Sequence, residues 1–301
     1  MKTKIQWTDV TWNPVRGCSL VSPGCRLCYA MKQAHRFSGE GKAYEGLTEL
    51  GPNGPRWNGK VHLAYDKLEE PLHWKKAAMV FVNSMSDLFH DNVPEEFILS
   101  CFTTMAKAHW HTYQVLTKRP ERMAEVLLRW QRDGLTLREG HGVILPNVIV
   151  GTSIENQEYA DRRIPYMIPL LDAGWKTMLS CEPLLGPIVF KDVPGFNRYD
   201  LSLHGLWVVV GGESGNGAAG CDVDWVRSIV SQCKSAFVAV FVKQLGANII
   251  TDGITSPGQH WPRETGLHDT GLGYWRKYLV DRKGGDMSEW PEDLRVREFL
   301  T

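Results

Sequence analysis

Six short apolar runs recur along the chain, and each is rich in β-branched or aromatic residues. Because both faces of these runs are apolar, they predict strands buried in a parallel sheet. Their starts lie about 30 residues apart, which is the length of one strand–helix unit. The predicted strands are 80–83 (VFVN), 112–117 (TYQVLT), 147–151 (NVIVG), 177–180 (TMLS), 206–210 (LWVVV) and 237–242 (FVAVFV), with a seventh at 10–14 before the first cysteines.

Helical patterns fill several of the intervals between these runs. Pro94 is followed by two glutamates, which suits the first turn of a helix. Pro165 and Pro169 are expected to shorten or kink the third helix, because proline removes a backbone donor. The predicted helices are 94–108, 121–131, 157–171 and 224–235.

Polar residues directly follow each of the six runs, at 83–87, 117–120, 151–156, 180–183, 211–214 and 243–246. Loops after strands are often polar in any fold. In a barrel, however, such tails converge on the C-terminal face, where active sites lie, whereas in a doubly wound sheet only those near the switch point meet. The chain is therefore predicted to be an α/β protein with a partial, TIM-like βα barrel of about six to seven parallel strands.

Two regions fall outside the strand–helix pattern. Residues 38–78 contain a Gly/Pro-rich stretch, GPNGPRWNGK, and predict an elaborated loop insertion with a short strand at 61–64. Residues 247–301 are rich in Gly, Trp and charged residues and predict turns and short strands. We therefore expect a barrel over residues 1–246 and a C-terminal cap packed on it over residues 247–301.

The formal net charge is zero, because the chain has 34 basic and 34 acidic residues, so the overall charge gives no preference for an anionic partner. A nucleic acid or nucleotide as substrate or partner stays open, since basic pairs occur at 162–163, 276–277 and 282–283. The N-terminus lacks an apolar signal region, and no run of about 18 apolar residues occurs. A cytoplasmic protein without a membrane span is the expectation.

The seven cysteines are unevenly spaced, which is not typical of a disulfide framework. Cys18, Cys25 and Cys28 form a C-x6-C-x2-C motif in a loop marked by glycine and proline. Thiolates are soft ligands that suit zinc or iron–sulfur clusters. Three of them would leave one iron of a 4Fe-4S cluster open, as radical chemistry with S-adenosylmethionine (SAM) requires. A zinc site completed by His35, or three free thiols, are the alternatives.

Strand tails late in the chain supply further candidates. Gly211 and Gly212 allow a ligand to approach the backbone closely, and Glu213 can accept hydrogen bonds from an ammonium group or from ribose hydroxyls. Glu182 is a candidate for proton transfer or substrate positioning. Cys181 is a candidate hydrogen-atom donor, with a buried inert cysteine as the alternative.

The remaining tails add polar and basic residues. Lys118, next to Arg119, and Lys243 are candidates to hold a carboxylate or phosphate of the substrate, with pairing to neighbouring acids as the alternative. Side chains of the other tails are candidate cofactor contacts: Asn83, Ser84, Ser153 and Glu155.

Several strings of this sequence resemble an uncharacterised phage and bacterial family of three-cysteine-motif proteins, radical-SAM-like in the cysteine loop. The resemblance covers nearly the whole chain. The resemblance is carried by the cysteine motif and by residues 5–14, 81–89, 114–123, 182–186, 210–215, 243–244 and 281–286. The first interval of the cysteine motif, six residues, is longer than that of the usual radical SAM loop, C-x3-C-x2-C.

The resemblance implies a cluster-binding protein that is often encoded in phage genomes or beside a dedicated partner protein. The first hypothesis is an enzyme in which the three cysteines hold a 4Fe-4S cluster and an electron donor drives cleavage of SAM to a 5′-deoxyadenosyl radical. That radical would act on an unknown substrate, with a nucleic acid or nucleotide considered by analogy. The second hypothesis is a non-catalytic zinc- or cluster-binding adaptor, phage-associated, with a partner protein docked on the cap.

Overall fold

The computed structural model of the chain describes residues 3–52, 54–138, 141–196, 205–251, 261, 267–270 and 275–300. The chain forms two compact units. The first consists of Met1–Thr152 with Pro169–Thr177, and the second of Ser153–Ile168 with Met178–Thr301.

Strands and helices alternate along most of the chain. The first thirteen are β1 Val10–Trp12, β2 Val15–Arg16, α1 Tyr29–Arg36, β3 Thr48–Gly51, β4 Gly54–Trp57, β5 His62–Leu63, β6 Met79–Val82, α2 Glu95–Lys107, β7 Thr112–Thr117, α3 Pro120–Arg132, β8 Thr136–Arg138, β9 His141–Gly142 and β10 Val148–Ser153. The others are α4 Gln157–Asp172, β11 Lys176–Cys181, β12 Leu206–Gly211, β13 Cys221–Asp222, α5 Val223–Ser235, β14 Ala239–Gln244, β15 Ile249–Thr251, β16 Leu267–Asp269 and β17 Trp275–Lys277. Short 3-10 helices include Pro23–Cys25, Tyr65–Lys67, Glu70–His73, Phe190–Asp192, Met287–Glu289 and Glu292–Leu294.

Within the described ranges, seven strands form the main sheet, in the order β1, β6, β7, β10, β11, β12, β14. The pairs β1–β6, β6–β7, β7–β10 and β12–β14 are parallel. Spatial order follows chain order, as in a βα barrel, whereas a doubly wound sheet reverses its order at a switch point. The predicted α/β class, a partial TIM-like βα barrel of six to seven parallel strands, is therefore confirmed.

Burial explains why the strands are apolar on both faces. Every residue of β10 and of β12 is buried, as expected when both faces of a parallel sheet are covered by other parts of the protein. The outer edge of β14 is covered by residues 296–298, which run antiparallel to it. The Val242 amide donates to the Val296 carbonyl (2.9 Å), and the Glu298 amide donates to the Val240 carbonyl (3.0 Å). An edge that is paired in this way cannot recruit another strand.

The main helices lie where the sequence predicts them. Glu95 and Glu96 occupy the first turn of α2 after Pro94, where acidic side chains favour the helix dipole. Pro165 and Pro169 lie inside α4 without shortening it. In the part of the chain that the structure describes, no helix combines the length and apolarity needed to cross a bilayer.

Two features of the strands differ from the prediction. Phe237, expected to open the last strand, lies instead in the turn after α5, with φ of 55° and 82% of the residue exposed. The left-handed conformation lets the Val238 amide donate to the Cys233 carbonyl (2.9 Å), which closes the helix as a glycine usually does. Ser153, Cys181, Gly211 and Lys243 belong to strands rather than to the tails, because backbone pairing continues whatever the polarity of the side chain.

Residues 38–78 are tied to the strands of the first unit through backbone carbonyls. The indole of Trp12 donates to the Lys67 carbonyl (2.7 Å), and that of Trp110 donates to the Trp74 carbonyl (2.8 Å). The Nε2 atom of His111 lies 3.2 Å from the Pro71 carbonyl. The segment contains a short strand, β5, which pairs with β2 and lies within the predicted range 61–64.

Burial lowers the pKa of His111, although its hydrogen bonds to backbone carbonyls oppose the change. Its Nδ1 atom is buried without a hydrogen-bond partner, so a second ring proton would be left unpaired. The unfolded chain takes up a proton near the ordinary histidine pKa of about 6.5, whereas the folded chain takes it up only at lower pH. The folded state therefore loses stability as pH falls through that value, because the unfolded state binds the extra proton.

We therefore expect His111→Phe to flatten the fall in the free energy of unfolding between about pH 7 and pH 5.5. The change in slope is at most about 1.4 kcal/mol per pH unit, the limit for a single proton. Urea denaturation at a series of pH values measures it. The matched control is His109→Phe, since His109 is exposed, and it should keep the wild-type slope. Equal slopes for all three proteins would contradict the assignment.

Candidate functional site

The cysteine motif lies in the loop between β2 and α1. Gly17 opens this loop with φ of 88°, and a Cβ atom there would lie 2.3 Å from the Lys60 carbonyl oxygen. Only glycine fits such a contact. Cys25 ends the 3-10 helix Pro23–Cys25 and is buried, and Cys28 precedes α1.

The three thiols lie close enough to influence one another. Burial, followed by the charge of Asp87, raises the pKa of Cys18 to about 12, while Arg119 opposes this rise and the other two thiols add to it. Burial also raises the pKa of Cys28, with a contribution from Cys25. None of the described cysteines forms a disulfide. Because their pKa values are raised, Cys18 and Cys28 would have to lose a proton when a metal binds.

Two basic side chains from the end of β7 lie beside this loop. Lys118 donates through Nζ to the Ser22 hydroxyl (3.2 Å), which lies 3.7 Å from the Cys25 sulfur. Arg119 donates to the Ser19 hydroxyl (2.6 Å). Each cation offsets part of the rise in a cysteine pKa: Arg119 acts on Cys18 and Lys118 on Cys28. Positive charges beside the motif therefore favour thiolates.

A buried carboxylate holds these basic residues in place. Asp87 accepts hydrogen bonds from the Thr117 hydroxyl (2.7 Å), the Lys118 amide (3.2 Å) and the Arg119 guanidinium (3.0 Å). Nine per cent of the Arg119 side chain and six per cent of the Asp87 side chain are exposed, so the ion pair is nearly dry. The network is completed by His90, whose Nε2 atom lies 3.0 Å from the Ser19 hydroxyl.

Asn83 and Ser84, predicted as cofactor contacts, support the loop in the first unit. Asn83 has φ of 58°, and its side-chain oxygen accepts from the Val15 amide (3.2 Å). Its side-chain nitrogen is buried without a partner among the described residues. The carbonyl of Ser84 accepts from the Tyr29 hydroxyl (2.6 Å), and its own hydroxyl donates to Asn13 (3.2 Å).

In the second unit, an ion pair reaches across a strand. Glu182 follows β11, and Lys243 lies in β14; their charged atoms are 2.8 Å apart, although β12 lies between the two strands. The contact passes over Gly211, where a Cβ atom would lie 2.9 Å from the Glu182 oxygen. The missing side chain at Gly211 therefore makes room for the pair. Cys181 is fully buried, and burial, with Cys233 and Glu182, raises its pKa well above the ordinary range.

Gly212 and Glu213 are held by close packing and hydrogen bonds within the second unit. A Cβ atom on Gly212 would lie 2.3 Å from the Leu245 carbonyl oxygen, so close packing of the chain itself requires glycine. The side chain of Glu213 is buried and accepts from the Ala219 amide (2.7 Å). Its carbonyl accepts from the Ala247 amide (2.8 Å).

Ser153 and Glu155 are linked to α4 through a buried arginine. Arg163 donates to the Ser153 carbonyl (2.7 Å) and to the Glu155 carboxylate (3.1 Å), and its guanidinium lies 4.5 Å from the ring centre of Tyr159. Glu155 is fully buried. A buried charge requires such compensation.

Nine of the predicted residues thus fall into two groups, and Ser153, Glu155, Cys181, Gly212 and Glu213 belong to neither. The first unit brings together the three cysteines and Lys118, with Asn83 and Ser84 supporting the loop. The second unit brings Glu182, Lys243 and Gly211 together. Sequence reasoning missed Ser19 and Ser22, which connect the basic residues to the motif; their position between the cysteines is the only signal that the sequence offers.

The first group contains three thiols on one loop, and thiolates are the donors that soft metals and iron–sulfur clusters prefer. Within the described ranges, no group of three or more His, Cys, Asp or Glu side chains is arranged to hold a single metal ion. His35, considered as a zinc ligand, lies with Nδ1 3.1 Å from the Thr48 hydroxyl.

We expect Gly212→Ala to lower the free energy of unfolding by about 1–3 kcal/mol, because its methyl group meets backbone atoms that cannot move away easily. Gly211→Ala should cost less, since the Glu182 side chain can rotate away at the expense of its ion pair. Denaturant unfolding measures both.

Gly142→Ala is the matched control, because a Cβ atom there meets nothing within 4 Å. It should leave stability unchanged or slightly higher. Unchanged stability of the Gly212 variant would mean that the chain itself does not require this glycine.

The comparisons with known proteins identify one family. Residues 2–275 match the family described as Protein of unknown function (DUF5131). No curated protein and no solved structure matches the chain. Because the match covers most of the sequence, including the cysteine motif and the residues of both groups, the chain belongs to the DUF5131 family.

Proposed function

We propose that this protein is a radical-SAM-like enzyme that carries a 4Fe-4S cluster on Cys18, Cys25 and Cys28. The observation that carries the proposal is the set of three thiols on one loop, in which Cys25 and Cys28 are near enough to raise the pKa of Cys18, and Cys25 that of Cys28. Cysteine thiolates are the ordinary ligands of iron–sulfur clusters. Three such ligands leave one iron open for the amino and carboxylate groups of SAM.

Cys18, Cys25 and Cys28 would hold this cluster, which would supply one electron from an external donor for the cleavage of SAM between sulfur and C5′, giving methionine and a 5′-deoxyadenosyl radical. That radical would take a hydrogen atom from the substrate, for which a nucleic acid or nucleotide is one candidate. The proposal therefore requires an electron donor, and a dedicated partner protein is compatible with it. The cytoplasm, which is reducing, suits such a site.

Lys118 and Arg119 support this role through their charge. A cluster bound by three thiolates carries net negative charge, and cations near it lower the cost of adding an electron. The Arg119 guanidinium is fixed by Asp87 and Ser19, so its charge stays beside the loop. Lys118 is fixed through Ser22.

The candidate contacts for SAM and substrate are the strand-tail residues predicted from the sequence. Glu182 with Lys243 offers a charged pair that can orient a polar group or move a proton. Cys181 stays a candidate hydrogen-atom donor. The other proposed SAM contacts are Asn83, Ser84, Ser153, Gly211 and Glu213. Glu155 and Gly212 are not included, because Glu155 is fully buried against Arg163 and Gly212 is packed against the Leu245 carbonyl.

Protein purified without oxygen should contain about four irons and four sulfides per chain. Cys25→Ala should lose both, because one of the three ligands is missing. Cys101→Ala is the matched control: Cys101 is a buried cysteine of α2, and its loss should leave the iron content unchanged. Metal and sulfide analysis of the three proteins gives the result.

One tightly held zinc without sulfide would overturn the cluster and favour the adaptor hypothesis instead. An equal loss of iron in both variants would show that cluster binding does not depend on this motif.

Lys118→Met should shift the reduction potential of the cluster to a more negative value, because a positive charge that favours the reduced form has been removed. Redox titration followed by electron paramagnetic resonance measures the shift. Lys107→Met removes the same charge at an exposed position of α2 and should leave the potential unchanged. A potential that is unaffected by Lys118→Met would contradict the role of Lys118.

A further inference from the structure

The second unit contains a cavity of about 530 Å³, and the residues that line it have no role in the function proposed above. It is lined by the glycine-rich loop 215–218, by residues 246–249 and by residues 276–279 with Asp281 and Arg282. Gly215 and Gly217 have positive φ values, 98° and 76°, and both are exposed. The volume lies in the range of sites for small organic ligands.

The charged residues of the cavity wall favour an anion. Arg276, Lys277 and Arg282 contribute three positive charges, and Asp281 contributes the one carboxylate among the described lining residues. That carboxylate accepts hydrogen bonds from the backbone amides of Lys283 (3.1 Å) and Gly285 (2.7 Å). Asp281 therefore stabilises its own turn, and arginine is well suited to bind phosphate.

An aromatic side chain completes the wall. Tyr278 lines the cavity, and 50% of the residue is exposed. A ring in this position can stack on a nucleobase, whose flat face needs no specific hydrogen bonds. Lys277, the buried neighbour of Tyr278, lies 5.0 Å from the ring centre of Trp261.

We infer that this cavity binds a nucleoside phosphate, with the phosphate at Arg276 and Arg282 and the base against Tyr278. The ligand is either a free nucleotide or a nucleotide of a single strand. The inference does not depend on the cysteines, so it holds for protein with or without a cluster.

Binding is tested with the full-length chain and two probes: ATP by titration calorimetry, and a fluorescein-labelled single-stranded oligonucleotide by anisotropy. Arg276→Gln and Arg282→Gln should each weaken binding about tenfold, the effect of one lost charged hydrogen bond. Tyr278→Ala should weaken it about fivefold or more through lost stacking. Arg282 and Tyr278 are exposed, so these variants remain informative if Arg276→Gln fails to fold.

Arg132→Gln is the control for charge, because 72% of the Arg132 side chain is exposed in the first unit, and its binding should match that of the wild type. Tighter binding of ATP supports the free nucleotide, and tighter binding of the oligonucleotide supports the strand. The inference is overturned if neither probe binds at millimolar concentration, if adenosine binds as tightly as ATP, or if Arg132→Gln weakens binding as much as Arg282→Gln.

Discussion

The buried carboxylate of Asp87 is the charge on which the cysteine side of the first unit depends. A carboxylate removed from water must be compensated by donors and positive charge. Here the partners are the hydroxyl of Thr117, the amide of Lys118 and the guanidinium of Arg119, which all come from the end of one strand. The charge therefore fixes the end of β7 against the end of β6. Because Arg119 also donates to Ser19, the cysteine loop is positioned by the same charge.

In the second unit, the ends of β11 and β14 are joined by an ion pair that lies in the space left by a missing side chain, and not by a buried carboxylate. Gly211 leaves a gap over β12, and Glu182 and Lys243 meet in that gap. Both devices depend on a property of parallel sheets, in which all strands end on the same side and bring distant parts of the sequence together. A single substitution can remove a partner of the Asp87 carboxylate, and a single substitution of Gly211 can fill the space that the Glu182–Lys243 pair occupies. The proposed chemistry would use residues that the fold already constrains strongly.

The order and type of the main elements could be predicted because buried parallel strands are apolar on both faces, as β10 and β12 are. The cysteine motif was visible because its spacing is local. Phe237 was misjudged, since its apolar side chain suggests a strand while its position after α5 requires a left-handed turn. The partners of the motif, Ser19 and Ser22, could not be identified, because their role depends on cations about a hundred residues away. The glycines at 211 and 212 were also visible, but the sequence does not show whether a ligand or the chain itself fills the space beside a glycine.

The contact between Gly17 and the Lys60 carbonyl has a consequence for how the sequence can change during evolution. The residue at position 17 must be glycine because another part of the chain, more than forty positions later, places a backbone oxygen where a side chain would start. A relative without the segment 38–78 would have no oxygen there and could accept other residues before its first cysteine. The glycine and the insertion should therefore be inherited together, and the absence of one in a relative should accompany the absence of the other.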